Sequence, residues 1–199
     1  WARTLGGLGH EVELLPARQV RAFVRSNKDD AADARALWIA AHQSDIRRVP
    51  IKGIEQQAVQ ALHRTRQHWI SVRTATINAL RGLLYEFGVV LPGGKQVGLK
   101  ALSVRRAQID AQVPAPMQRL IDGQLAMLKD ITQRVDQLEA EIAALGKAHA
   151  TESRLRQVPG IGLLGASALA ATLGDARGWK SGREFSASLG IVPAHSGTG

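Results

Sequence analysis

Residues 121–145 read IDGQLAMLKDITQRVDQLEAEIAAL, and the spacing of their apolar side chains decides the fold class. Ile121, Leu128, Val135 and Ile142 recur every seven residues, and Gln124, Ile131, Leu138 and Leu145 form a second seam of the same period. Four heptads with one polar seam position describe a helix that lays a narrow apolar stripe against a partner helix, as in a coiled coil. The partner is either the long helix that precedes it, giving an antiparallel hairpin, or a second copy of the chain. Periodicity alone does not choose between them.

Upstream, Ile54 to Phe87 carries a second long helical pattern, with Leu62, Trp69, Thr76, Leu80, Leu84 and Phe87 on or near one face. Arg64, Arg66, Arg73 and Arg81 read as its polar face, opposed only by Glu55 and Glu86, and are candidate phosphate contacts. Gly88, Pro92, Gly93 and Gly94 end the pattern. Gly98 to Asp110 is a weaker element, and Pro114 and Pro116 open the heptad helix.

Downstream of Gly146 a small helical unit is expected, with one helix closing at Leu155–Val158 and a second running from Leu163 to Leu173. The turn Pro159-Gly160-Ile161-Gly162 joins them, and Ser181 to Leu189 forms a third. Helix, glycine turn and helix resemble a helix-hairpin-helix, in which Gly160 and Gly162 would let the backbone approach a phosphate without reading bases.

At the other end, residues 1–9 read as the close of a helix and His10–Leu15 alternates like a short strand. Arg18–Val24 reads as a short helix, and Ser26-Asn27 as the cap of a stronger one from Asp29 to His42. The resulting division is 1–50, the end of an α/β domain; 51–150, long helices and coiled coil; and 151–199, a helix-hairpin-helix-like unit. The fold class is mainly α.

Composition points to an anionic partner. The net charge is +9, and residues 1–106 hold 17 Lys/Arg against 8 Asp/Glu, whereas residues 107–199 hold 9 of each. The excess therefore lies in one half, as a binding surface would place it. With no cysteine, disulfides, zinc ribbons and thiol catalysis are excluded, which is compatible with a reducing cytoplasm. No apolar run reaches membrane-spanning length, so no membrane partner is expected. The chain begins at Trp1 and ends in Ser196-Gly197-Thr198-Gly199, and both ends read as truncations.

The candidate chemistry lies in Asn27-Lys28-Asp29-Asp30-Ala31-Ala32-Asp33-Ala34. Carboxylates three apart share a helix face, so Asp30 and Asp33 can converge on one hard divalent cation. Acidic residues in a first helical turn also stabilise the macrodipole, and an Asp-x-x-Asp pair at a helix start, judged alone, is more often capping than catalysis. The histidines are scattered and make no metal site.

Taken together, Trp1-Ala2-Arg3-Thr4-Leu5, the Asn27–Leu37 string and Arg81-Gly82-Leu83-Leu84-Tyr85-Glu86-Phe87-Gly88 resemble the DEDD-type transposases of insertion sequences. Val158-Pro159-Gly160-Ile161-Gly162, Gly174-Asp175, Phe185 and Leu189-Gly190-Ile191-Val192-Pro193 extend the resemblance across the chain. The resemblance implies an RNase H-like domain ending within residues 1–50, with Asp30 and Asp33 as the last two of four carboxylates that bind Mg²⁺ or Mn²⁺. It also implies a nucleophilic serine just past the Leu-Gly-x-x-Pro run, Ser196 here with Thr198 as the alternative. The first Asp and the Glu would precede Trp1, so this fragment alone is expected to be inactive. Implied partners are element and target DNA, a guide RNA in some members, and further copies of the chain through the coiled coil, in a bacterial cytoplasm. Lys28, Arg64, Arg66, Arg73, Arg81, Gly160 and Gly162 are the expected nucleic-acid contacts. Two other readings compete: a non-catalytic DNA- or RNA-binding module, and a coiled-coil oligomerisation protein.

Overall fold

A computed structural model of the chain describes residues 1–24, 29–147, 149–174 and 179–191. Among these the architecture is mainly α, and the only β pairing is the antiparallel bridge between Leu14 and Val49. The chain divides into two units, residues 1–54 and 55–199.

In the first unit, α1 spans Ala2–Gly7, α2 spans Ala17–Arg21 and α3 spans Asp30–Ala41. The alternation at His10–Leu15 does not become a strand. Only Leu14 finds a ladder partner, accepting from the Val49 amide at 2.7 Å, and one bridge cannot sustain an extended segment. Ala32, Ala36 and Ala40 face inward on α3, and the last two are fully buried, so their small side chains let α2 approach. Arg48 ties the unit together. Its guanidinium bonds the Ala41 carbonyl at the C-terminal end of α3, the Ile46 carbonyl at 3.0 Å and the Glu13 carboxylate at 2.7 Å. A cation there also meets the negative end of the helix dipole.

The second unit is built on α4 (Ile54–Glu86) and α7 (Ala115–Gly146), each roughly 50 Å long at 1.5 Å per residue. Of the α7 heptads, Ile121, Leu128, Ile131, Val135 and Ile142 are buried. Helix α4 of the same chain runs antiparallel to α7, and α9 (Leu163–Leu173) packs on α7 as well. Leu80 and Leu84 meet Met117 and Ile121 at one end, while Arg66 pairs with Glu139 and Trp69 lies under Arg134 towards the other. The short-range alternative of a hairpin therefore takes the seam.

The inward face of α4 differs from the expected one in two places. Ile77 is buried with Leu80 and Leu84, while Phe87 lies past the helix end and is exposed. Arg66 and Arg73 also leave the polar face expected for them. Seven residues return a helix to the same side, so Arg66 and Arg73 occupy the row that continues into buried Leu80. Their methylene stems lie along the seam and are half-buried.

The weak element between the long helices resolves into α5 (Lys95–Val104) and α6 (Arg106–Gln112), separated at Arg105, whose φ of −93° and ψ of 11° leave the helical region. The hairpin tip closes on Leu80, Leu84, Val89, Leu91, Leu102, Ile109, Val113, Met117 and Ile121. Gly88, at φ 74°, turns the chain so that the Val89 amide can donate back to the Leu84 carbonyl at 3.0 Å.

Arg106 fastens the tip. It donates to both oxygens of Asp110 at 2.8 and 2.9 Å, reaches Asp122 on α7 at 2.8 Å, and bonds the Gln118 carbonyl at 3.3 Å. The hydrogen bond to Asp110 is the main reason its guanidinium titrates above its ordinary value. Arg106→Met keeps the apolar stem and removes these bonds. Charge-assisted bonds to partly exposed groups contribute about 1–2 kcal/mol, so urea unfolding should show a loss of that size. A midpoint equal to the wild type would show that the cluster adds nothing.

Beyond the hairpin, α8 (Ala150–Leu155), α9 (Leu163–Leu173) and α10 (Gly182–Ser188) follow at the expected places. Gly160, at φ 88°, makes the turn before α9, and Ser181 caps α10 by accepting from the Glu184 amide at 3.3 Å. Helix α9 packs against α8 and α7 with Ala166, Ala170 and Ala171 buried. It also meets α4, where Gln60 donates to the Ala171 carbonyl at 3.1 Å and His63 Nε2 lies 3.2 Å from the Ser167 hydroxyl.

Burial, and then the nearby Arg66 charge, lower the His63 pKa below its ordinary 6.5. The unfolded chain therefore takes up this proton first as pH falls. The associated stability is present above about 6.5 and is lost as pH drops towards the lower folded value. His63→Gln can still bond Ser167, so its stability should fall less steeply than the wild type's on acidification below that point. Equal slopes by thermal unfolding across that range would remove His63 as the cause.

Candidate catalytic carboxylates and nucleic-acid interface

The acidic cluster at the start of α3 separates into two jobs. Asp29 is the N-cap, in extended conformation, with its carboxylate accepting the Ala32 amide at 2.6 Å while its carbonyl accepts the Asp33 amide at 3.1 Å. The expected cap, Ser26-Asn27, lies outside the described residues, as does Lys28. Because Asp29 already satisfies the helix end, Asp30 and Asp33 are spared that role. Both are exposed, one turn apart, and among the described residues neither carboxylate forms an ion pair.

Two adjacent carboxylates with no sulfur or imidazole nearby suit a hard divalent cation in kind. They do not complete a site: no group of three or more metal-ligating side chains converges among the described residues.

The four arginines of α4 are not equivalent. Arg64 is exposed, and its Nε bonds only the Gln60 carbonyl of its own helix, at 3.3 Å. Arg66 is committed to Glu139, with Nη2 at 2.6 Å and Nε at 2.7 Å from the same oxygen. Arg81 donates to the Leu91 carbonyl at 3.1 Å and so closes the loop after α4. Arg73 is half-buried, with a solvent-shielded Nε that has no hydrogen-bond partner. Of the four, only Arg64 combines exposure with freedom from a tertiary contact.

Gly160 and Gly162 stand where the turn enters α9. A side chain added at either would meet nothing within 4 Å, so the turn is open to approach. Gly162 is the N-cap of α9 and brings no side-chain bond to the first-turn amides. Ser196 and Thr198 lie outside the described residues. One group passed over in the sequence stands on the same helix as the carboxylates, on another side: Trp38, 65% exposed, has its ring centroid 4.5 Å from that of His42. Its signal was an i, i+3, i+7 row with Arg35, hidden by the attention an Asp-x-x-Asp pair attracts.

Comparison with known proteins places this geometry in context. Residues 2–88 match a transposase family model of the DEDD, IS110 type, and residues 152–199 match the model described as transposase IS116/IS110/IS902 family. A probable family 20 transposase of Pseudomonas aeruginosa is 42% identical over the whole chain, which covers 59% of that protein. The transposase for insertion sequence element IS1111A of Coxiella burnetii is 33% identical, with 55% of it covered, and that for IS1328 of Yersinia enterocolitica 34% identical, with 58% covered. The chain belongs to the IS110/IS116 transposase family, and it spans a little over half the length of the curated relatives it matches.

Proposed function

We propose that this chain forms part of a transposase that cuts and rejoins insertion-sequence DNA, with Asp30 and Asp33 as two of its metal-binding carboxylates. The observation that carries the reading is the division of labour at α3. Asp29 caps the helix, and Asp30 and Asp33 face solvent without ion-pair partners among the described residues. Residues 1–50 are then the end of an RNase H-like domain, and the α8–turn–α9 unit is a helix-hairpin-helix in function.

Mg²⁺ or Mn²⁺, when bound, supplies charge neutralisation at the phosphate and lowers the pKa of the attacking hydroxyl. Asp30 and Asp33 would hold the ion, and their place on a helix end would orient the two carboxylates towards it. Ser196, with Thr198 as the alternative, is the hydroxyl that attacks a backbone phosphodiester: its oxygen bonds to phosphorus, one P–O bond to deoxyribose breaks, and the departing sugar oxygen takes up a proton as the serine hydroxyl loses its own. Lys28 and Arg64 would neutralise backbone phosphates, with the amides after Gly160 and Gly162 adding sequence-independent contacts. With Arg66 and Arg81 engaged inside the fold, phosphate contact on α4 falls chiefly to Arg64. A guide RNA is a second candidate ligand for these residues. The heptad seam is occupied within the chain, so self-association would use another surface. No helix among the described residues is long and apolar enough to cross a membrane.

The test is transposition by the full transposase carrying Asp33→Ala or Asp30→Ala. Loss of strand cleavage with DNA binding retained is the expected result, and undiminished cleavage would overturn the assignment.

A further inference from the structure

On α3, Arg35, Trp38 and His42 stand three and then four residues apart, so their side chains follow one another along a single helix face, on a different side of the helix from Asp30 and Asp33. All three are exposed. Trp38 is unusual in this position, since an indole is among the most favourable side chains to bury and here keeps 65% of its surface in solvent. Its ring is not loose. It rests against His42 at 4.5 Å and 41°, and His42 is held by its Nδ1 contact with the Trp38 carbonyl at 2.8 Å. Arg35 precedes the ring by one turn and among the described residues forms no ion pair.

We propose that Arg35, Trp38 and His42 form a binding site for an unpaired nucleotide on the helix that carries the carboxylates, its base stacked on Trp38 and its phosphate held by Arg35. An indole face takes any base, and a guanidinium one turn away matches the spacing between a base and its own backbone phosphate. His42 supports the far side of the indole, so the exposed face is presented in one orientation. Asp30 and Asp33 project from another side of α3, which leaves Arg35 as the cationic anchor on this one. The site thus selects a strand whose bases have come out of the duplex, the state a strand must pass through when it is cut and exchanged.

This inference rests on the proposed transposase reading, and its test is independent of cleavage. Binding of the full transposase to a short single-stranded oligonucleotide and to a fully paired duplex is measured in EDTA, with indole fluorescence as a second readout. Trp38→Ala should weaken single-strand binding on the order of tenfold, the scale of one lost base–aromatic stack, while duplex binding stays as in the wild type. Arg35→Ala should weaken it similarly, and Trp38→Tyr, which keeps an aromatic face, should restore most of the affinity. The quenching of indole emission on single-strand binding should fall in Trp38→Tyr. If Trp38→Ala binds the single strand like the wild type, or loses single-strand and duplex binding equally, the proposal is wrong. Because these arms need neither metal nor Asp33, failure here leaves the carboxylate assignment intact, and failure of the cleavage test leaves the stacking site standing.

Discussion

Replacing Asp33 by Ala in the full transposase should reduce strand cleavage on the order of hundredfold or more, with DNA affinity in EDTA unchanged. A divalent ion that neutralises developing charge contributes several kcal/mol to the transition state, and each 1.4 kcal/mol is about tenfold in rate. One carboxylate of an adjacent pair is enough to lose most of that, because the remaining oxygen ligands no longer fix the ion's position. The structure makes the substitution unusually clean. Asp33 is exposed and takes no part in capping, which Asp29 performs through the Ala32 amide. Ala is also the better helix former, so folding should not suffer. Asp29→Ala gives the contrast: loss of the cap should cost about 1 kcal/mol of stability with a much smaller effect on rate. A purely capping role for the cluster would produce the reverse ranking, with Asp29→Ala and Asp33→Ala separated by stability and not by cleavage.

The largest loss of stability is expected from Leu84→Ala. Leu84 is fully buried, in a cluster with Leu80, Val89, Leu102, Ile109 and Ile121 that draws on α4, α5, α6, α7 and the loop after α4. Truncating it to a methyl removes an isopropyl group and leaves a cavity in a cluster drawn from five segments. None can move inward without disturbing another, so the cost should be about 3–4 kcal/mol, in the upper part of the range for buried leucines. Chemical denaturation should show it as a lower midpoint with an unchanged slope. Tyr85, the next residue, is 69% exposed and serves as a control, with Tyr85→Ala expected within about 1 kcal/mol of the wild type. A loss below 1 kcal/mol for Leu84→Ala would mean that the hairpin tip is not a closed core.

Where the helices lie was largely legible in the chain. The α4 pattern from Ile54, the α7 heptads, and the glycines at 88, 160 and 174 all act through neighbours within a turn or two, and local signals of that kind survive without a fold. The same locality explains what was misread. Charge assigns Arg66 and Arg73 to solvent, yet Arg66, Arg73 and Leu80 follow one another every seven residues, which places both arginines in the seam. A long stem that packs while its head finds Glu139 is consistent with both the spacing and the charge. The His10–Leu15 alternation has the period of a strand, but a strand also needs a neighbour, and only Leu14 has one.

For the acidic cluster, the chain by itself determined that Asp30 and Asp33 share a helix face, because three residues nearly complete a turn. It could not determine whether they cap the helix or stand free, since that depends on which oxygen reaches the first-turn amides. The three-dimensional arrangement decided it in favour of Asp29. The same holds for the feature that sets the fold class. The heptads of residues 121–145 specify an apolar stripe in need of a partner, and only tertiary structure supplies α4 as that partner. A seam records what a helix must bury, and many surfaces could bury it. The choice is made by the short tip, residues 87–114, whose closed core holds α4 and α7 antiparallel.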